Sequence, residues 1–569
     1  MSFIAEATSL GDLFHRNCRR FERKTAYIRG PKSKRESLTY GQAHDAVFGY
    51  AKSLVSFGLK RGDRVALVCE TCLEWALVDW ACQSLGIVLV PIYPTLPEDQ
   101  AMYIAQDCQA SLVIVQDDKQ AAKFPGMVIA QLKGEAGLLT RSSELTKADW
   151  EALTAQVLRN DLSTIIYTSG TTGQPKGAML THAGFIDLSN AVHDTYGIGE
   201  DDTFLSFLPL SHVFERYAGH SLPIAVGATI AYAGSIASLA NDLQEFSPTI
   251  MCAVPRFFEN MRQRILDNVA KQTPLQQRIF NLAFRQGLNH FRREPAPLYF
   301  LTDKLVGVKI RSRAGGRIRF FVSGGAALAP QVSDFFNAFG LTILQGYGLT
   351  ETTAATCLNL PEDNRPWTVG PPLTSVEVKL AADGEILIRG SSVMLGYYNL
   401  PEATAEAIDG DAWFHSGDIG EFEGTRLKIT DRKKDILVLG NGKNIAPQKI
   451  ESKLKESEYI NEAVLFGDGM EHCVALIVPE FDRLRHWLSE KGRESDDLEA
   501  IVQLPEIREL IKSEVDKTNK GLADFERVKK HALVGAPFTI ESGELTPSLK
   551  VKRRFVRDKF ATLLDSLKR

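Results

Sequence analysis

The chain has 569 residues, a formal net charge of −4, 44% hydrophobic and 24% charged residues; this is the balance of a globular protein, too long for one ordinary domain. Near-neutral charge gives no global pull toward nucleic acid, so no nucleic-acid partner is expected. No apolar run reaches the roughly 18 residues of a spanning helix. The opening MSFIAEATSLGDLFHRNCRR lacks the basic start, apolar middle and cleavage site of a secretory signal. A cytoplasmic protein is expected, with association to a membrane surface left open.

Residues 39–59 and 73–85 read as helices and 64–68, 87–91 and 111–115 as strands, an alternation that argues for βαβ units and a mainly parallel sheet. Eight cysteines are scattered along the chain, as in a reducing compartment. Cys69 and Cys72 have C-x-x-C spacing, but no second such pair or His pair stands nearby to complete a metal site. The stretch 69–85 reads instead as an amphipathic helix with Leu73, Trp75, Ala76, Val78 and Ala81 apolar.

After the apolar run Leu162-Ser163-Thr164-Ile165-Ile166 comes Tyr167-Thr168-Ser169-Gly170-Thr171-Thr172-Gly173-Gln174-Pro175-Lys176-Gly177. Its glycines let the backbone turn left-handed and approach a ligand. Successive N–H groups, hydroxyls and a lysine then suit phosphate oxygens. The string is not G-x-x-x-x-G-K-[ST]. Strands are predicted again at 203–208, 228–233, 249–254, 318–322 and 341–345, giving two α/β layers in the first 350 residues. Between 256 and 319 stand fourteen basic against four acidic residues. Leu266, Val269, Ile279, Phe280, Leu282, Ala283, Phe284 and Phe291 lie among them, which predicts amphipathic helices. They either pack on the core or meet an acidic partner such as membrane headgroups.

Two further strings follow predicted strands. Val322-Ser323-Gly324-Gly325-Ala326-Ala327 offers a small-residue wall where open α/β sheets bind ligands. In Gln345-Gly346-Tyr347-Gly348-Leu349-Thr350-Glu351, Tyr347 can stack on a flat ring. Thr350 offers a hydroxyl and Glu351 the hard oxygen that Mg²⁺ prefers. From residue 376 short strands at 376–380, 384–389, 419–423 and 427–430 suggest a small β-rich subdomain. The five charges Asp431-Arg432-Lys433-Lys434-Asp435 read as a solvated linker. Beyond it, strands at 436–439, 463–466 and 473–478 alternate with helices at 447–457 and 504–520, an α+β tail.

In this order the strings resemble the adenylate-forming enzymes, the acyl-CoA synthetases, luciferases and adenylation domains, from about residue 10 to the end. The resemblance implies a large N-terminal domain, residues 1–431, of two α/β layered subdomains plus a β-rich one and carrying the basic insertion. A hinge at 432–434 and a mobile α+β C-terminal domain, 435–569, follow. ATP or AMP would be held by Thr168, Ser169, Gly170, Thr171, Thr172, Gly173, Lys176, Gly324, Gly325, Ala326, Gln345, Gly346, Tyr347, Gly348 and Thr350. Thr171 and Glu351 would be the Mg²⁺ ligands. Trp413-Phe414-His415-Ser416-Gly417-Asp418 is similar to the family's ribose-binding motif, which gives that role to Asp418, while His415 is expected to pack. Arg432 is placed near ribose and phosphate, Lys434 at the hinge.

Glu544-Leu545-Thr546-Pro547-Ser548-Leu549-Lys550 resembles the tail motif whose lysine bridges the carboxylate and the α-phosphate, so Lys550 takes that role, with Lys552 the alternative. Phe207-Leu208-Pro209-Leu210-Ser211-His212-Val213-Phe214-Glu215-Arg216 looks like the form found in long-chain fatty acid–CoA ligases. It sets His212 beside the acyl carboxylate. Gly440, Gly442 and Lys443, in a loop similar to theirs, would bind coenzyme A. The implied reaction joins a fatty acid to CoA through an acyl-adenylate, with ATP and Mg²⁺, catalysed by Lys550, Thr350, Glu351 and His212. A fatty acyl-AMP ligase that loads a carrier protein, and a non-catalytic nucleotide or acyl-chain binder, are the alternatives. Only about 19 residues follow Lys550, too few for a carrier domain. A homodimer stays open.

Overall fold

The computed structural model describes residues 3–134, 137–168, 174–546 and 550–568. The chain forms two compact units: the first is Met1–Lys379 with Leu387–Ser416 and Phe422–Lys428, the second Leu380–Ile386 with Gly417–Glu421 and Ile429–Arg569. By this division Asp418 falls in the second unit.

The first unit holds the two expected α/β layers. One is a six-stranded sheet in the order Ile129–Gln131, Leu112–Val115, Arg64–Val68, Val88–Ile92, Leu162–Thr168, Lys176–Thr181, parallel except for the last pair. The other is an eight-stranded sheet in the order Cys357–Leu358, Ile343–Tyr347, Phe320–Ser323, Ile250–Ala253, Thr203–Ser206, Thr229–Tyr232, Thr25–Arg29, Glu36–Thr39, antiparallel only at its two edges. Central parallel strands are covered on both faces and so read as unbroken apolar runs. Val68, Val90, Val113, Val115 and Ile165 form one core, and Leu205, Met251, Phe258, Phe321 and Ile343 another.

The helix Leu73–Leu85 corrects the amphipathic reading. Every residue from Trp75 to Leu85 is buried. Its indole Trp80 donates to Tyr27 Oη of the larger sheet (3.0 Å), and Gln83 reaches Ser163 O of the smaller (3.4 Å). Cys69 lies before it and Cys72 is its N-cap. The polar side chains are paired inside: Arg216, 1% exposed, donates twice to Asp79 (2.9 and 2.7 Å) and to the hydroxyl of Thr164.

The basic segment is helical over Pro255–Ala270, Pro274–Phe291 and Val308–Arg313. Phe258, Phe280, Ala283 and Ile310 pack into the core of the larger sheet, and Arg292, Arg311 and Arg319 pair with Asp334, Asp303 and Asp202. A four-stranded sheet of Val376–Leu380, Glu385–Gly390, Phe414–Glu423 and Arg426–Arg432 is the expected β-rich part. The second unit's core gathers Ile450, Leu465, Ala475, Ile477 and Ile511 around the sheet Ile460–Phe466, Cys473–Pro479 and Val528–Leu533. Among the described residues no helix is long and apolar enough to cross a membrane.

Arg216→Met leaves Asp79 buried without its partner and is expected to cost about 3–5 kcal/mol, read as a lower urea midpoint. Adding Asp79→Leu is expected to restore most of it. A single variant within about 1 kcal/mol of wild type would refute the pair as a structural tie.

Candidate functional site

The phosphate-type string is flanked by an antiparallel pair: Leu162–Thr168 runs against Lys176–Thr181, with Thr168 opposite Lys176. Ser169, Gly170, Thr171, Thr172 and Gly173 lie outside the described residues. Lys176 and Glu351, 175 positions apart in sequence, are brought to one side chain. Tyr397 Oη donates to Glu351 Oε1 at 2.9 Å, and Lys176 Nζ stands 5.0 Å from the centre of the same ring, a cation–π approach. Backbone bonds hold this geometry: Tyr398 N to Gly177 O (2.8 Å), Met179 N to Gly396 O (3.0 Å) and Met394 N to Glu351 O (2.8 Å). Sequence reasoning missed Tyr397. Its only local signal is a tyrosine pair behind a glycine, Gly396-Tyr397-Tyr398.

Gly346 faces Leu358 across an antiparallel pair, and the Ala354 backbone lies so close to Gly348 that no side chain fits there. Glu351 sits in the turn Thr350–Thr352, followed by Thr353 (φ 53°) and Ala354 (φ 81°). Two successive non-glycine residues in the left-handed region are strained, and such strain collects at ligand sites. Tyr347 is half-buried. The Gln345 amide is occupied at both ends: Oε1 accepts from Leu328 N (2.9 Å) and Nε2 donates to Pro366 O (2.5 Å). It therefore holds the turn behind the small-residue wall, in which Gly324 is buried and Gly325 (φ 82°) and Ala326 are exposed.

His212 caps a short helix, its Nδ1 accepting from Phe214 N at 3.1 Å. That bond fixes the tautomer with the proton on Nε2. The Phe214 ring lies 3.0 Å from where a Cβ on Gly324 would stand, so the His212 segment adjoins the wall. Glu215 next to it is 1% exposed and accepts from Ser206 Oγ at 2.5 Å. Burial pushes its carboxyl up to about 8, so the group is a neutral acid at pH 7.

In the second unit, Asp418 is buried and accepts from Arg432 Nε at 2.9 Å. Lys433 N donates to Gly417 O (2.7 Å) and Lys433 Nζ to Glu385 Oε2 (2.9 Å); Lys434 is exposed. The expected solvated linker is corrected only at its first two residues, since Lys433 and Lys434 are exposed in a turn. Asp431 and Arg432 end a strand, and Asp431 takes an inward position, 3% exposed. Burial lifts its carboxyl to about 7. His415 does not pack as expected: it follows buried Phe414 in a strand, so the alternation turns it outward, 3.4 Å from Asp409.

Gly442 (φ 77°) turns the loop in which Gly440 N donates to Met470 O (2.8 Å), and Lys443 Nζ lies 5.6 Å from the Phe525 ring centre. Lys550 is exposed. Its N donates to Thr546 Oγ1 (3.0 Å) and its O accepts from Thr546 N (2.8 Å), closed behind by the Leu545–Val551 bridge. Lys552 lies at the base, as the cap of the next helix.

Residues 14–398 match the AMP-binding enzyme family and 434–568 its C-terminal domain. The long chain acyl-CoA synthetase 6, peroxisomal, of Arabidopsis thaliana is 33% identical over 93% of this chain and 81% of its own. A long-chain-fatty-acid–CoA ligase of Mycobacterium bovis is 33% identical over 93% and 92%. The fold is that of the O-succinylbenzoate coenzyme A synthetase of Bacillus subtilis in complex with AMP (TM-score 0.72, 19% identity, 95% of this chain and 97% of that one).

Glu215 supplies a pH test. In the unfolded chain its carboxyl titrates near about 4.3, in the folded chain near about 8. Between these values the folded state holds a proton that the unfolded state has lost, so stability falls as pH rises through that window. Glu215→Gln lacks this term. Its stability relative to wild type is expected to improve by on the order of a few kcal/mol from pH 5 to pH 8.5 in urea unfolding; a pH-independent difference refutes the assignment.

Proposed function

The chain belongs to the AMP-binding enzyme family, in its long-chain fatty acid–CoA ligase group, and from that membership we propose how its residues divide the reaction. The enzyme activates a long-chain fatty acid with ATP, through an acyl-adenylate, to the acyl-CoA, and releases pyrophosphate and AMP. The observation that carries the residue assignment is the convergence of Lys176 and Glu351 on Tyr397. A phosphate-loop cation and a hard-oxygen ligand are there fixed on one rigid ring.

A carboxylate is a poor acyl donor because it would have to expel oxide. Its oxygen attacks the α-phosphorus of ATP, and the bond to pyrophosphate breaks. Such a step asks the protein mainly for positioning and for charge against the phosphoryl oxygens. Lys176 and the loop before it hold the β- and γ-phosphates, and Thr350 serves the α-phosphate. Tyr397 fixes one oxygen of Glu351 and so aims the other. Glu351 and Thr171 fit Mg²⁺ as hard oxygen donors; when bound, the ion supplies further positive charge. The wall Gly324-Gly325-Ala326 and Gly346-Tyr347-Gly348 receive adenine, Asp418 and Arg432 the ribose and phosphate. Lys550 adds charge in the first step. In the second, the thiol of CoA, bound by Gly440, Gly442 and Lys443, attacks the acyl carbon near His212 and AMP leaves. Lys434 is the pivot between the two steps.

We also read a surface of the basic segment as a membrane contact. Leu298, Phe300, Leu301, Leu305 and Val308 are exposed, Phe300 by 81%. Exposed Lys304 and Lys309 stand among them. Clustered exposed apolar residues with basic neighbours suit an anionic bilayer interface.

Lys550→Ala is expected to slow acid-dependent pyrophosphate release on the order of 100-fold, while thioester formation from supplied acyl-adenylate stays within a few-fold. Lys434→Pro is expected to do the reverse, and equal damage to both half-reactions in either variant refutes that residue's role. Phe300→Glu with Leu301→Glu is expected to weaken sedimentation with phosphatidylglycerol vesicles at least about tenfold, with turnover of a water-soluble acid unchanged. Undiminished sedimentation removes the membrane surface.

A further inference from the structure

Cys69 and Cys72 form a motif that the ligase reading leaves unused. Cys69 follows the strand Arg64–Val68, and Cys72 caps the 13-residue helix Leu73–Leu85. Their sulfurs are 3.7 Å apart, and side-chain rotation within this short turn can close the gap to the roughly 2.05 Å of a disulfide. Cys69 Sγ also lies 3.1 Å from Glu70 O and 3.5 Å from Gln116 Oε1. Of the eight cysteines, Cys72 alone is not fully buried. It therefore combines access to solvent with a helix N-terminus that favours thiolate. The bond with Cys69 and the Trp75 N–H both lower its thiol, while the same bond and burial raise that of Cys69. Cys72 is thus the member an oxidant reaches first, with Cys69 held 3.7 Å behind it.

Between the two cysteines stands Thr71. Its hydroxyl donates to Leu208 O (2.7 Å) and accepts from Leu210 N (2.9 Å). One turn later His212 N donates to Pro209 O (2.9 Å). The C-x-x-C turn and the turn that delivers His212 therefore share one hydroxyl.

We propose that Cys69 and Cys72 are a reversible dithiol–disulfide modification site whose oxidation loosens the Thr71 clamp on the 208–210 turn and slows acyl-CoA formation. With glutathione disulfide as oxidant, Cys72 thiolate attacks one of its sulfurs and expels one glutathione thiolate. Cys69, giving up its proton, then attacks Cys72 Sγ of the mixed disulfide and expels the second. Two protein thiols are oxidised, one glutathione disulfide is reduced to two glutathiones, and the two thiol protons end on them. The effect on rate rests on the ligase reading; formation of the bond does not.

The test equilibrates the full-length protein in glutathione buffers of rising disulfide fraction. It then alkylates, weighs the peptide carrying residues 69–72, and measures palmitoyl-CoA formation in parallel. The expected result is a peptide lighter by two hydrogens and a several-fold slower reaction, both reversed by dithiothreitol. Cys69→Ser and Cys72→Ser are expected to keep full rate in every buffer. Cysteines that stay alkylated at all ratios, or a glutathione adduct on Cys72 alone, overturn the site. A disulfide that forms with no change in rate overturns its coupling to the 208–210 turn. A reduced protein without ligase activity overturns the ligase reading instead, while the peptide mass still decides the disulfide.

Discussion

The guanidinium of Arg216 is the point on which the first unit turns. It is fully desolvated, so its charge is tolerable only with a paired carboxylate and satisfied donors. Asp79 supplies the carboxylate from the central helix, Thr164 an acceptor from the strand that runs into the phosphate-type loop, and His220 approaches the same Asp79 oxygen at 3.2 Å. Arg216 itself opens the π-helical turn Arg216–Ser221 just after His212. Three elements are thereby locked to one charge, and two of them, the strand Leu162–Thr168 and the turn that follows His212, adjoin candidate site residues. Displacing any of them would strand an ion in the interior.

The same interaction explains where the sequence was easy to read and where it was not. Strands buried on both faces announce themselves as apolar runs, and 64–68 is found as Arg64–Val68 without a shift. The helix Leu73–Leu85 was found at its bounds but assigned a polar face, because Asp79, Gln83 and Ser84 have polar side chains. Each is satisfied from a distance: Asp79 by Arg216, Gln83 by Ser163, Ser84 by the Trp150 indole at 2.7 Å. Polarity in a string measures the need for a partner, and water is only one partner. Asp431 misled in the same way, its charge taken as a sign of solvent while its strand position turned it inward.

The site follows the same division. Residues whose proposed role belongs to a local string, Glu351, Gly348 and Asp418, could be named from that string because the chemistry of a turn is local. Tyr397 could not, since its partner Glu351 lies 46 positions away and nothing near it declares a function. Gln345 was named with its string, yet its amide is engaged with Leu328 and Pro366, which makes it a support of the wall. Motifs mark where ligands come, whereas the groups that hold the motif rigid are chosen by packing.

A last contrast separates the two sets of residues proposed for the site. In the first unit Glu351, Tyr397 and Gln345 are pinned by backbone and side-chain bonds, as suits the role proposed for Glu351 and for the groups that support the site around it. In the second, Lys434, Lys443 and Lys550 are exposed, each at the end of a long flexible stem. A lysine proposed to serve one half-reaction and leave the other is better exposed than buried, since burial would demand a permanent counter-ion and hold it in place. The exposure of Lys550 therefore suits the role proposed for it, that of a charge used once per cycle.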